Sequence, residues 1–311
     1  MEGRGPVTRA APRENVMNRK IIRIILTTLL AAVFAVSVGM MILHQIEYQK
    51  TLADADEAAQ IAGLHRVTET RRPETSAPAT EPTAGTEPSG SVSLTEEPAE
   101  EPTEEPPPEW YLLPEGARDL VWIDLGALRA INPDVVGWIC IPGTNVSYPL
   151  MQGRDNEYYL TRSWKKEYMG SGSVFLETKV SPDLTDYHTI IYGHRMQNGT
   201  MFGSIKYYSG ADYWRAHPSV YIVLDDTIYR YDIFAAHEAA VNSIVYRLDI
   251  EEKELEEEFL RYCEKQTVLR TGMTPEVGER ILTLSTCTGN GYAKRWVVHG
   301  VLAQEYSRTK I

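Results

Sequence analysis

Residues 24–43 form a run of twenty residues without a charged side chain, and this run constrains the chain more than any other feature. Twenty helical residues rise about 30 Å, which matches the hydrocarbon thickness of a bilayer. Six Lys and Arg residues lie within residues 1–23, and few positive charges follow the run closely. The positive-inside rule therefore predicts a cytoplasmic basic tail (1–23), a single-pass transmembrane anchor (24–43) and an extracellular remainder.

A cleaved signal peptide is the alternative interpretation of the same run. Such a peptide has a shorter apolar core and ends at a small-residue cleavage site. The sequence after Gly39 continues Met-Met-Ile-Leu-His-Gln-Ile and offers no suitable site. We therefore favour an uncleaved anchor, which an N-terminal sequence read from the membrane fraction would test.

Residues 44–109 are predicted to form a stalk and a disordered linker. Residues 44–72 are polar and weakly helical, while residues 73–108 are rich in Pro, Glu and Thr. Such a composition buries too little apolar surface to fold, and its like charges extend it. The chain has a formal net charge of −12, and residues 73–109 contain ten Glu but no Lys or Arg. The acidity thus belongs mainly to the linker, and no basic surface suggests a nucleic-acid partner.

Residues 110–311 are predicted to form the folded domain. Short β-rich runs separated by Gly and Pro turns predict strands, at 135–141, 146–151, 173–177, 188–192, 220–224, 228–235, 239–246, 281–286 and 296–302. Helices are predicted at 124–131, 156–163, 201–208, 212–217 and, as the longest, 251–265. This pattern indicates a mostly β fold, a closed or partly closed barrel with decorating helices.

The run 281–287 ends on a cysteine, Cys287, and a polar loop with two glycines separates it from a second β-rich run near Arg295. Two such runs predict an antiparallel pair, with Cys287 and Arg295 nearly opposite each other. Side chains alternate along a strand, so the two leucines face the core while Ser285 and Cys287 face the other way. A thiol beside a permanent positive charge indicates a reactive nucleophile.

The sequence Thr-Leu-Ser-Thr-Cys at 283–287, with Arg295 shortly after it, resembles the active-site signature of the sortases, the cysteine transpeptidases of Gram-positive cell surfaces. Residues 190–202, Ile-Ile-Tyr-Gly-His-Arg-Met-Gln-Asn-Gly-Thr-Met-Phe, resemble the sortase histidine segment, especially that of class B. Residues 131–144 are similar to the class B entry strand. The resemblance spans most of residues 120–303. It implies a sortase-type closed β-barrel of about eight strands, with a longer helix before the Cys strand.

The resemblance also implies three catalytic residues. Cys287 would be the nucleophile, and because a free cysteine is mostly protonated at neutral pH, it needs a partner. His194 would be that partner, acting as the acid for the departing amine and as the base for the incoming one. Arg295 would stabilise the oxyanion of the tetrahedral intermediate or hold the substrate carbonyl.

Ser285, Thr286 and Tyr192 are further candidates for substrate binding, with plain packing as the alternative. Cys140 and Cys263 are interpreted as core residues, because free cysteine is among the most buried residue types. Outside His194, the histidines are interpreted as structural or as lying outside the domain: His44, His65, His188, His217, His237 and His299. No grouping of His, Cys and Asp shows metal-ligand spacing along the sequence, so we expect neither a metal nor a cofactor.

The resulting hypothesis is a class B sortase in the cell membrane, with its catalytic domain outside. It would cleave a C-terminal sorting signal of secreted proteins, of the Asn/Ser-Pro-x-Thr type, through a thioester acyl-enzyme. It would then transfer the protein to an amine of a cell-wall precursor or of a pilin subunit. Two alternatives stay open: a surface cysteine peptidase in which water resolves the thioester, and a non-catalytic binding domain displayed on a stalk.

Overall fold

The computed structural model describes residues 14–64, 112–250, 252–288 and 293–308. They divide into two compact units, Met1–Asp54 and Ala55–Ile311. The described part of the first unit is helical and belongs to helix α1 (Glu14–Ile61). Among the described residues, Lys20–Ile61 is the candidate membrane span, by length and apolar composition. The large apolar side chains between Ile21 and Ile46 are mostly exposed, as expected of a helix that faces lipid.

The second unit includes the last turns of α1. Ala58 and Ala62 are fully buried within this unit, and the carbonyl oxygen of Ala62 accepts a hydrogen bond from the backbone N–H of Asp124 over 3.0 Å. Small residues four apart lie on one helix face and permit close packing. Of the predicted stalk and linker, residues 55–64 therefore lie with the folded unit, while residues 65–109 lie outside the described residues.

Eight strands of the second unit form a closed barrel in the order β1-β2-β3-β4-β7-β8-β6-β5, which confirms the predicted fold. They are β1 (Val135–Cys140), β2 (Ser147–Met151), β3 (Val174–Leu176), β4 (His188–Tyr192), β5 (Ser219–Val223), β6 (Thr227–Ala240), β7 (Ile281–Cys287) and β8 (Lys294–Ser307). Neighbouring strands are antiparallel except for two parallel pairs, β2–β3 and β4–β7.

The separate strands predicted at 228–235 and 239–246 are wrong. Strand β6 covers the first predicted strand, 228–235, and continues to Ala240. Residues Ile244–Tyr246 form a 3-10 helix. The register of β6 against β8 shifts between Arg230 and Tyr231 and again between Ile233 and Ala235. Both shifts lie within the first predicted strand, whereas the predicted gap at 236–238 pairs continuously with β8. The gap contains Ala and Glu, which are depleted in strands, and this composition hid the continuity of β6.

Helices cover the barrel from outside. Helix α2 (Leu125–Ile131) begins where predicted, because the Asp124 carboxylate accepts a hydrogen bond from the Ala127 N–H over 2.9 Å. Helix α4 (Lys253–Gln266) is the predicted long helix before β7. The remaining helices are α3 (Ala211–Ala216) and the 3-10 helices Glu115–Trp122, Tyr158–Leu160 and Ile205–Ser209.

The barrel interior and two outer layers form three apolar clusters. Leu282 and Leu284 of β7 lie in the interior cluster, as predicted from alternation. Their neighbour Ile281 lies in an outer cluster with Phe259 and Cys263 of α4. Strand β7 is therefore buried on both faces up to its last residue, Cys287, which is half-buried.

Candidate active site

Cys287 and Arg295 lie opposite each other at one end of the antiparallel pair β7–β8. They are the last partners of a register that runs from Ile281 opposite Val301. Both side chains are half-buried, so they reach solvent at the rim of the barrel. The predicted pairing is present, and most of the loop between them, residues 289–292, lies outside the described residues.

The parallel pairing of β4 with β7 brings the histidine segment to the cysteine. The carboxyl ends of parallel strands meet at one edge, and Tyr192, the last residue of β4, pairs with Ser285. Beyond the pair, the Gly193 N–H donates to the Ser285 carbonyl over 3.2 Å. The Thr286 hydroxyl donates to the Gly193 carbonyl over 2.7 Å. These bonds attach His194 to the strand that ends on the nucleophile candidate.

Glycine is required at position 193. A Cβ atom there would lie 2.8 Å from ring atoms of Phe202, closer than real contacts allow. Phe202 is fully buried and its N–H donates to the His194 carbonyl over 2.9 Å. The phenyl ring therefore packs directly under the backbone that presents His194.

A cavity of about 300 Å³ joins His194, Cys287 and Arg295. Its walls come from β4, β7, β8 and the segments packed against them. The other lining residues are Asn156, Leu160, Phe175, Tyr192, Gly193, Val241, Tyr246, Ser285 and Thr286. The three residues assigned to catalysis from the sequence thus share one cleft, and so do all three candidates for substrate contact.

One hydrogen bond sets the hydrogen positions on His194. Its Nε2 lies 2.8 Å from the carbonyl oxygen of Leu160. A carbonyl oxygen only accepts, so Nε2 carries the hydrogen in the neutral ring and Nδ1 keeps its lone pair. The nitrogen left to accept a proton is therefore Nδ1.

The Leu160 carbonyl is itself fixed by a buried network. Tyr159 is fully buried, and its hydroxyl donates to Asp134 Oδ2 over 2.7 Å while accepting from Asn132 Nδ2 over 3.0 Å. Burial raises the pKa of Asp134, but hydrogen bonds from Tyr159 and Lys166 and the Lys166 charge outweigh it and hold the value below its ordinary range. The 3-10 helix Tyr158–Leu160 is thereby tied to the start of β1.

The comparisons with known proteins agree with this geometry. A family model described as the sortase domain matches residues 139–303. The chain belongs to the sortase family. It is 35% identical over 181 residues to sortase B of Listeria monocytogenes, which covers 58% of this chain and 74% of that protein. Class B is thus shown as well, and the protein is a cysteine transpeptidase.

Solved structures of class B sortases share the barrel. A Staphylococcus aureus sortase B–substrate complex superposes with a TM-score of 0.55 at 29% identity, covering 58% of this chain and 84% of that one. A sortase B complexed with Gly3 gives the same TM-score and identity, with 58% and 85% covered. The eight-stranded architecture of this sortase is therefore that of its class.

The hydroxyl groups of the three substrate-binding candidates bond to the protein itself. Ser285 Oγ lies 2.8 Å from the Tyr246 hydroxyl, the Thr286 hydroxyl bonds to Gly193 as described, and the Tyr192 hydroxyl donates to Glu177 Oε2 over 2.9 Å. Burial raises the pKa of Tyr192, and the Glu177 charge raises it further. In this sortase the three residues line the cleft and also hold its walls together.

Sequence reasoning missed two polar residues that line the cleft, Asn156 and Tyr246. It also missed the buried carboxylate of Glu177, which bonds to the cleft residues Tyr192 and Asn156. Glu177 is 5% exposed, and its Oε2 also accepts from Asn156 Nδ2 over 2.7 Å. Tyr246 was assigned to a strand that does not exist, and nothing in the sequence marks Glu177 as buried. Only the fold reveals these three residues.

Cys140 and Cys263 lie in apolar clusters, in keeping with their interpretation as core residues. Burial raises the pKa of the Cys140 thiol to about 12 and that of Cys263 higher still. The expectation that no metal binds stays a prediction, but the fold does bring one group of possible ligands together. His237, Cys263 and His299 place their ligand atoms within 4.8 Å of one another. They come from three elements, so no sequence spacing indicates them.

Proposed function

We propose that this sortase uses Cys287, His194 and Arg295 to transfer secreted proteins from their sorting signals to an amine. The observation that carries the proposal is the single cleft lined by all three side chains. A thiol, an imidazole and a guanidinium are the groups that thioester chemistry requires: a nucleophile, a proton carrier and a stabiliser of negative charge.

In the first half-reaction, the Cys287 sulfur attacks the scissile carbonyl, and its proton passes to His194 Nδ1. The carbonyl oxygen becomes an oxyanion, which the Arg295 guanidinium stabilises with its fixed donors. As the carbon–nitrogen bond breaks, His194 returns the proton to the departing amine. The products are a thioester on Cys287 and the released C-terminal tail.

In the second half-reaction, an amine attacks the thioester and gives a proton to His194. The tetrahedral intermediate collapses by breaking the carbon–sulfur bond, and Cys287 regains its proton as the new amide leaves. His194 thus acts as an acid and then as a base, while Leu160 keeps its Nε2 hydrogen in place. Water in place of the amine would give hydrolysis.

Relatives of this chain support a proposal for the substrate class. We assign it a C-terminal sorting signal of the Asn/Ser-Pro-x-Thr type on secreted proteins, supported by likeness to a solved sortase B–substrate complex. The acceptor is an amine of a cell-wall precursor or a pilin, supported by the relative solved with Gly3. The apolar helix within residues 24–43 anchors the enzyme in the cytoplasmic membrane, with the tail 1–23 inside and the catalytic domain, residues 110–311, outside.

A peptide assay on the full chain in detergent tests the assignment. We expect a sorting-signal peptide to acylate the wild type, and triglycine to convert the acyl-enzyme into a longer product, both seen by mass spectrometry. Cys287→Ala should abolish both signals, while Cys140→Ala, which removes a buried thiol that does not line the cleft, should keep them.

Three results would contradict the proposal. Acylation of Cys287→Ala would place the nucleophile elsewhere. Hydrolysis that triglycine does not divert would indicate a peptidase. A wild-type Cys287 that neither acylates nor reacts with a vinyl-sulfone probe would indicate a displayed binding domain.

A further inference from the structure

A second group of chemically able side chains lies outside the active cleft, beneath helix α4. His237 on β6, His299 on β8 and Cys263 on α4 are buried to 1% exposure or less. Their ligand atoms lie within 4.8 Å of one another, and the two Nε2 atoms face each other across 3.1 Å. The proposed transfer reaction uses none of the three.

His237 and His299 belong to a continuous series of polar contacts that also includes His188 and Thr283. His188 Nδ1 lies 2.8 Å from the Arg247 carbonyl, and His188 Nε2 lies 2.7 Å from the Thr283 hydroxyl. That hydroxyl lies 2.9 Å from His299 Nδ1. After the contact between the two Nε2 atoms, His237 Nδ1 lies 3.1 Å from the Glu238 carbonyl. This series of polar groups therefore contains five contacts, with a backbone carbonyl as the acceptor at each end.

Four neutral groups cannot supply five hydrogens. Each neutral imidazole carries one N–H and the hydroxyl of Thr283 carries one O–H, giving four donors. The carbonyl of Arg247 takes the His188 Nδ1 hydrogen, so Thr283 donates to His188 Nε2 and accepts from His299 Nδ1. The carbonyl of Glu238 takes the hydrogen of His237 Nδ1. Both facing Nε2 atoms are then left with lone pairs.

Two lone pairs across 3.1 Å need a cation between or beside them. An added proton would create an imidazolium in a fully buried site, which desolvation opposes. A metal ion would instead use both lone pairs and the sulfur of Cys263. The bonds at each Nδ1, to Thr283 and to Glu238, have the form of the outer hydrogen bonds that orient histidine ligands of metals.

We propose that His237 Nε2, His299 Nε2 and Cys263 Sγ bind one monovalent copper ion. Thiolate and imidazole ligands suit copper, and soft thiolates select Cu⁺. A thiolate with Cu⁺ is electrically neutral, whereas Zn²⁺ would leave a buried positive charge. Structural zinc also takes four ligands, and the cluster offers three among the described residues.

Binding of Cu⁺ would replace the proton of the Cys263 thiol. The Cys263 S–H bond breaks, its proton leaves to solvent, and a copper–sulfur bond forms with no change of oxidation state. The sulfur must move inward, because S and N ligands of one small metal ion lie roughly 3.6 Å apart, given metal–ligand bonds of about 2.0 to 2.3 Å. The ion would join α4 to β6 and β8, and it would thus fasten the helix that precedes the Cys287 strand.

The test isolates Cys263 from the other thiols. The chain has three cysteines, so the full-length double variant Cys140→Ala/Cys287→Ala keeps Cys263 alone. Purified in detergent without oxygen and titrated with Cu⁺, this variant should bind one copper per chain and show an ultraviolet thiolate-to-copper absorption. Adding Cys263→Ser should weaken copper binding at least about 100-fold. Thr283→Val should weaken it about 10- to 100-fold, the range known for outer hydrogen-bond partners.

The double variant alone distinguishes bound Cu⁺, bound Zn²⁺ and a bound proton, even if the triple variant with Cys263→Ser fails to fold. Absence of a thiolate–copper absorption in the double variant overturns the proposal by itself, and it would indicate that a proton fills the gap. Tighter binding of Zn²⁺ than of Cu⁺ by the double variant would overturn the choice of metal. Equal copper affinity after Cys263→Ser would place the ion elsewhere.

Discussion

Arg295 supplies the permanent positive charge of the active cleft among the residues described there. Its place opposite Cys287 is a consequence of strand register, which fixes the backbones of the two residues relative to each other. A group held by the backbone in this way is preorganised, because it needs no rearrangement as negative charge develops.

Replacing Arg295 should therefore slow acylation without unfolding the protein. We expect Arg295→Ala to lower kcat/KM for a sorting-signal peptide about 100- to 1,000-fold, as when one oxyanion donor is lost. Arg295→Lys should recover only part of this, because it keeps the charge but lacks the planar fork. The neighbouring Lys294→Ala is the control and should stay near wild type. Full activity of Arg295→Ala would remove the residue from the mechanism.

Tyr159 shows how a buried hydroxyl supports the site from a distance. Tyr159→Phe removes the hydroxyl that bonds both Asn132 and Asp134 inside a buried site, so we expect a loss of about 1 to 3 kcal/mol of unfolding free energy at neutral pH. Burial raises the pKa of Asp134, but the Tyr159 bond, together with Lys166, holds it below its ordinary value. The stabilisation from the Tyr159 bond is therefore present above that ordinary value and is lost as pH falls through the lowered pKa. Urea unfolding should thus show the variant and the wild type converging at acidic pH. The exposed Tyr158→Phe should match the wild type throughout, and a constant difference at all pH values would contradict this account.

At the scale of elements, the sequence allowed one half of the site to be predicted and concealed the other. The antiparallel pair that places Cys287 opposite Arg295 is local, because a short loop joins its strands. The parallel pair β4–β7 joins residues about 90 positions apart, and no local pattern indicates it. Only family resemblance connected His194 to Cys287 beforehand. Two further features have no sequence signal, because the residues that form them come from separate elements. They are the contact of the Leu160 carbonyl with His194 and the group of His237, Cys263 and His299 beneath α4.

The turn from β4 into the histidine segment gives an element-scale prediction. Gly193→Ala places a methyl group 2.8 Å from the Phe202 ring, which should cost about 1 to 3 kcal/mol of stability. The ring supports the backbone at His194, so kcat should fall as well. Adding Phe202→Leu makes room for the methyl group and should restore part of kcat. Gly116→Ala, whose Cβ meets its nearest neighbour at 3.7 Å, is the control. No rescue by Phe202→Leu would show that the clash is not the cause.

At the scale of the whole molecule, strand number and turn residues predicted a mostly β fold, and the family resemblance predicted the closed barrel with a longer helix before the Cys strand. Strand β6 was the exception, since Ala and Glu at 236–238, which are depleted in strands, hid its continuity. The anchor is the remaining large-scale expectation. With tags at both ends, protease added to intact protoplasts should remove the C-terminal tag and spare the N-terminal one. Digestion of the N-terminal tag would reverse the topology.

Closure of the barrel limits how this sortase can recognise a peptide. Many peptide-binding proteins add the ligand as an extra strand on an exposed sheet edge, but each described strand of this ring already pairs with two neighbours along at least part of its length. We therefore expect a sorting peptide to be selected mainly by the side chains and loops around the rim. Exchanging rim segments between sortases should therefore retarget the enzyme while its scaffold stays the same.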